Sequence, residues 1–95
     1  MVQVLVKVRV ADFPHFIGIF STRAASLRKK HGCRRARLFQ VCGSENDVMI
    51  LLDWENRPGF EGFLSDPVVK EAMKTSGTVS PPEITFLELA AEFPG

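Results

Sequence analysis

The chain's single tryptophan, Trp54, closes an apolar run, Val48-Met-Ile-Leu-Leu-Asp-Trp-Glu55, and two short helical segments follow it. An indole in that place can wall a small apolar pocket, stack on a flat molecule and offer its N–H as a donor. It can equally be a core residue closing one end of a sheet. His31 falls on the projected line of an apolar helical stripe, at the helix end. There an imidazole can titrate near neutral pH beside a pocket, or simply complement the helix dipole. His15 lies off that stripe and is expected to face solvent. Neither histidine has a serine or cysteine nucleophile at a recognisable spacing, so no triad is proposed. Asp53 and Glu55 share a strand face, the arrangement of an acid/base pair. Ion pairs with Lys7 and Arg9 explain the same pattern without chemistry. Arg35 and Arg37 share a strand face with Phe39, either as contacts for an anionic or phenolate ligand or as solvated surface. Phe16, Phe20, Phe39, Phe60, Phe63 and Met73 are core residues by default, some of them doubling as pocket lining where a pocket exists.

Composition narrows the setting. Ninety-five residues with 45% hydrophobic and 24% charged side chains make one globular domain, 1–95, with no repeat or linker. The net charge of +1 conceals an asymmetry: residues 1–40 hold nine Lys/Arg against one acid, and residues 41–95 hold three against ten. The two halves, about +8 and −7, must pair inside the fold or across a subunit interface. The basic segment from Arg23 to Arg37 lacks the interleaved aromatics of a strand platform for RNA, which argues against nucleic acid. No apolar run is long enough to span a bilayer, and the first residues lack a signal peptide's basic and cleavage regions. Cys33 and Cys42 form no CxxC and no Cys/His cluster, so no metal or cofactor is expected. The expectation is a soluble cytoplasmic protein with reduced thiols.

The elements that must position these residues follow from periodicity. Residues 2–10 alternate, with Val2, Val4, Val6, Val8 and Val10 on one face of a strand. Asp12 offers an N-cap and Pro14 suits a first turn. Phe13, Phe16, Ile17, Phe20, Ala24 and Leu27 then mark one continuous helix ending at Gly32. Strands are expected over 34–42 and 47–55, helices near 58–64 and over 67–75 with Asp66 as cap, and a last strand over 83–89. Residues 90–95 read as a loose tail. The order β-α-β-β-α-β is a split βαβ, ferredoxin-like α+β unit: a four-stranded antiparallel-type sheet with its helices on one face. The other face carries Leu5, Met49, Leu51, Leu87 and Leu89, too apolar for water, so a homodimer through that face is expected.

On these residues the chain resembles the dimeric α+β barrel superfamily, in particular its antibiotic-biosynthesis-monooxygenase-like families, over about residues 2–90. The resemblance rests on the element order, the valine-rich first strand, Asp12-Phe13-Pro14-x-Phe16, Leu52-Asp53-Trp54-Glu55 and the stretch Phe63 to Met73. It implies a homodimeric barrel and a cofactor-independent monooxygenase-like enzyme. The substrate would be a small aromatic or polyketide-type molecule held in an apolar pocket between sheet and helices. Trp54 matches the family's tryptophan. The asparagine of its first strand has no counterpart, and the chain has no tyrosine. Haem-degrading members use a histidine where this chain has Phe63 and Leu64, which argues against that activity. The expected site therefore comprises Trp54 and His31 as catalytic residues, with Phe16, Phe20, Phe39, Phe63, Met73 and Arg37 contacting substrate. The alternatives are a non-enzymatic small-ligand-binding or regulatory dimer, and a cyclase or isomerase.

Overall fold

A computed structural model describes all residues, Met1–Gly95. Strand β1 (Val2–Arg9) is the inner partner of two others, and its alternation decides the core. Val4, Val6, Val8 and, just beyond the strand, Val10 are buried. Asp12 caps α1 (Phe13–Ser21), its carboxylate accepting from the His15 N–H at 3.2 Å. Then comes α2 (Arg23–Lys30). The sequence pattern predicts one helix here, and the structure breaks it at Thr22 (φ −116°, ψ −88°). The cause is local: Thr22 Oγ1 donates to the Gly18 carbonyl at 2.6 Å and Ser21 Oγ to the same oxygen at 3.3 Å. Such back-bonding competes with the helical ladder beside a flexible glycine.

Gly32, at φ +100°, turns the chain into β2 (Cys33–Gln40), which pairs antiparallel with β3 (Asp47–Trp54). The Asn46 side chain donates to the Val10 carbonyl at 2.9 Å and fixes that turn against the end of β1. Asn56 and Asp66 then cap α3 (Arg57–Ser65) and α4 (Pro67–Thr75), each with proline in the first turn. Ser80 Oγ accepts from the Arg9 N–H at 2.9 Å, and Pro81-Pro82 leads into β4 (Glu83–Leu87). The last strand is shorter than its alternation predicts, and residues 88–95 have no regular structure.

The sheet order is β2-β3-β1-β4, antiparallel throughout, which is the ferredoxin-like arrangement. All four helices cover one face. Beneath them Val4, Val6 and Val8 face Leu52, Ile50 and Val48 across β1–β3, and Trp54 is fully buried at the end of that row. On the other face Leu5, Met49, Leu51 and Leu87 are only half-covered, and Phe39 is half exposed.

The charge asymmetry resolves by pairing inside the fold. Arg9–Asp47, Arg23–Glu71, Lys30–Asp66, His31–Asp66 and Arg34–Glu55 each join a basic group of the first half to an acid of the second. These partly exposed pairs fix orientation more than they stabilise, at about 0–1 kcal/mol each. The expected partners of Asp53 and Glu55 are corrected. On the β1 side register places Gln3, not Lys7 or Arg9, opposite Asp53, and its amide donates to the carboxylate at 3.1 Å; on the β2 side the residue opposite is Arg35. Glu55 lies beyond the strand end and pairs with Arg34.

Candidate functional site

Between the sheet and the helix layer lies an apolar cavity of about 90 Å³. Its floor is Val6, Val8, Ile50, Leu52 and Ile84 on the inward sheet face. Its roof is made of Phe16 and Phe20 from α1, Leu27 from α2, Phe60 and Phe63 from α3, and Val69 and Met73 from α4. The helical periodicity of each element puts these side chains inward. Polar residues are few: Arg28 of α2, and Ser76 and Thr78 beyond α4. Ser76 Oγ donates to the Met73 carbonyl at 2.6 Å and lies 3.2 Å from Thr78 Oγ1, so that polar edge is internally satisfied.

Arg28 differs from the lysines beside it. Lys29 and Lys30 are exposed, whereas Arg28 is half-buried, its guanidinium carbon 3.9 Å from the centroid of the Phe20 ring. One N–H donates to the Phe20 carbonyl at 2.9 Å. Burial lowers its pKa from the usual arginine range, and the nearby Cys33 opposes that effect. The Cys33 thiol is itself pushed up, mainly by burial, against the influence of the Arg35 carbonyl contact and Arg28.

Of the residues expected at the site, Phe16, Phe20, Phe63 and Met73 come together on the cavity wall. Arg37 and Phe39 do not. They pair with Leu51 and Met49 on the outward sheet face, because alternation sends Ala36 and Leu38 inward instead. Trp54 and His31 stand behind the wall. Trp54 packs against Phe60 (5.4 Å between centroids) and Phe63 (5.2 Å), and its indole N–H is buried with no acceptor. His31 meets the Phe63 ring edge-on at 6.0 Å. Phe63 thus touches the cavity on one side and both of these groups on others.

His31 Nε2 is 2.8 Å from Asp66 Oδ2, joining the end of α2 to the cap of α4. That bond and the Val68 N–H hold the Asp66 carboxyl below the usual carboxylate range. His15 faces solvent as expected, and its Nε2 also reaches the Thr75 carbonyl at 2.7 Å. The two histidines therefore tie both ends of α4 to α1 and α2. Arg28, Ser76 and Thr78 were not expected from the sequence. For Arg28 the signal was its position one turn after Ala24 and two after Phe20, masked by the run of cations in which it sits. No three His, Cys, Asp or Glu side chains gather in a way that could hold a metal ion, and no helix is long and apolar enough to cross a membrane.

Residues 1–75 match the family model for antibiotic biosynthesis monooxygenases. No curated protein sequence matches the chain. Among solved structures, SnoaB, a cofactor-independent oxygenase from Streptomyces nogalater, superposes with a TM-score of 0.79 at 17% identity, over 99% of this chain and 97% of that one. A Caulobacter crescentus protein assigned to the antibiotic biosynthesis monooxygenases gives 0.75 at 18% identity, over 95% of this chain and 90% of its own. A NIPSNAP domain protein from Burkholderia xenovorans gives 0.69 at 18% identity over the whole of both chains. At these identities the likeness establishes the fold, which hosts more than one kind of protein.

Proposed function

The chain belongs to the antibiotic biosynthesis monooxygenase family, and we propose that it is a cofactor-independent monooxygenase for a small aromatic, polyketide-type substrate. The observation that carries this reading is the apolar cavity between sheet and helices. No carboxylate or imidazole lines it to take a proton. The acidity must then come from the substrate, as it does for an anthrone or hydroquinone that ionises readily. The carbanion passes electrons to O₂ and a C–O bond forms, giving a peroxide. Loss of water then leaves a carbonyl, with one oxygen atom kept on carbon and the other released in the water. The protein's part is to exclude solvent, hold the ring and stabilise the developing oxyanion.

Trp54 is proposed as donor and His31 as anion stabiliser, both reached when a ligand displaces the Phe63 ring. The unpartnered indole N–H supports this role. A buried donor left unsatisfied costs about 1–3 kcal/mol, which a ligand acceptor would recover. The protein is further proposed to act as a homodimer through the outward sheet face, where Leu5 and Leu51 lie directly opposite each other.

The test is O₂ uptake with a panel of anthrones and hydroquinones, for wild type and Trp54→Phe, against protein-free autoxidation. Uptake well above background, reduced tenfold or more by the substitution, is the expected result. Background rates across the panel would refute the oxygenase reading. The absence of a carboxylate or imidazole from the cavity wall favours a second reading, a small-ligand-binding dimer without turnover. About 90 Å³ is less than the ~150 Å³ that admits benzene, so a ring must displace part of the wall to bind. That reading predicts saturable quenching of Trp54 fluorescence with no O₂ consumed.

A further inference from the structure

We propose that Arg28 makes this cavity selective for aromatic oxyanions, so that a phenolic substrate binds as its phenolate with the charged oxygen on the Arg28 guanidinium. The inference rests on the cavity being the substrate site, as argued above. Arg28 is the only charged residue on a wall that is otherwise almost wholly hydrocarbon. It takes part in none of the ion pairs of the fold. The titratable group beside it is the Cys33 thiol of β2, which burial keeps protonated and therefore unable to neutralise it. A half-buried cation without a counter-ion carries a desolvation cost that an anion would offset.

The guanidinium is also held ready. Its central carbon sits over the Phe20 ring and the Phe20 carbonyl takes one of its N–H groups. A guanidinium has five such donors, so others remain for a ligand oxygen. A fixed guanidinium fork suits a localised oxyanion better than a mobile ammonium does. A neutral aromatic would fill the hydrocarbon wall and leave the charge unmatched. A phenolate satisfies both parts of the site, and it is the ionised form from which electron transfer to O₂ proceeds. Arg28 would therefore select the reactive form as well as place it.

The experiment uses 4-nitrophenol, whose phenolate absorbs where the phenol does not, titrated from acid to alkaline pH with and without the folded protein. The expected result is a bound probe that ionises about one pH unit below the free one, a tenfold preference for the phenolate. Arg28→Gln should abolish the shift, and Arg28→Lys, which keeps the charge, should retain part of it. Circular dichroism establishes that each variant is folded. If Arg28→Gln does not fold, the comparison of wild type with Arg28→Lys stands on its own, and an unshifted wild-type titration overturns the proposal. It is also overturned if wild type binds no probe, or if Arg28→Gln folds and keeps the full shift. Phenolate preference without O₂ uptake would remove the oxygenase reading and leave this one standing. O₂ uptake without phenolate preference would do the reverse.

Discussion

Replacing Gly59 with alanine should destabilise the protein, and the same change at Gly18 should stabilise it, although both lie in helices. A Cβ built on Gly59 falls 2.6 Å from the His31 carbonyl oxygen and 3.2 Å from the Asn56 side-chain oxygen. The first is a backbone atom at the end of α2, and the second belongs to the cap of α3, which accepts from the Gly59 N–H at 2.8 Å. Neither is the free end of a flexible side chain. Relief requires α2 and α3 to part, and overpacking of this kind costs about 1–3 kcal/mol. The usual gain from removing glycine, about 0.5–1 kcal/mol in a helix interior, is reduced in the first turn, where Gly59 sits. A net loss of about 1–2 kcal/mol follows. A Cβ at Gly18 meets nothing within 4 Å, so only the gain of about 0.5–1 kcal/mol remains. For a domain of this size 1 kcal/mol moves Tm by about 4–8 °C. Thermal and urea unfolding at one protein concentration should thus separate the two variants by roughly 6–24 °C in Tm, with opposite signs relative to wild type. A Gly59 variant as stable as wild type or more so would show that α2 and α3 do not meet at Gly59 as closely as described, and a destabilised Gly18 variant would refute the open space at that position.

The Asp66 carboxyl is held below the usual range in the folded protein, so its contribution is present above the unfolded value and lost as pH falls through the folded one. Asp66→Asn should therefore be less stable than wild type near neutrality and approach it below about pH 4, by thermal unfolding across pH. A gap that persists undiminished at acid pH would assign the loss to packing or capping instead. On the outward sheet face, Leu51 pairs with Leu5 on one side and Arg37 on the other. Leu51→Glu should convert a dimer to a folded monomer in sedimentation analysis, and an unchanged mass would place any interface elsewhere.

The sheet was legible because its signal is redundant. Five alternating valines and the alternating β3 fix both faces, and register follows once Val4, Val6 and Val8 must meet Leu52, Ile50 and Val48. The caps at Asp12 and Asp66 were legible for the same reason, each a carboxylate followed closely by proline. The break at Thr22 was not. Apolar spacing runs straight through it, and only the hydroxyl back-bonds to Gly18 distinguish two helices from one. The partners of His15 and His31 were equally hidden, since each lies in an element remote in sequence and neither bond depends on periodicity.

The two arginines show what periodicity does and does not say about a site. Arg37 sits beside Phe39 in the sequence pattern, and that pairing suggested a ligand contact. On a strand, however, sharing a face with an outward residue excludes a side chain from the space under the helices, and Arg37 lies against the Leu51 side of the sheet. Arg28 sits in a run of cations, the composition of a solvated surface. Yet it lies one turn of α2 after Ala24, which faces the cavity, and its guanidinium reaches back over Phe20 of α1, which faces it too. A helix, unlike a strand, lets a boundary position lay its aliphatic stem along the apolar wall and carry its charge to the cavity edge. The residue best placed to meet an anion is thus distinguished by the helix register and by the absence of a nearby carboxylate. Neither can be read from charge counts, which do not separate the cations paired with acids of the second half from those that are not.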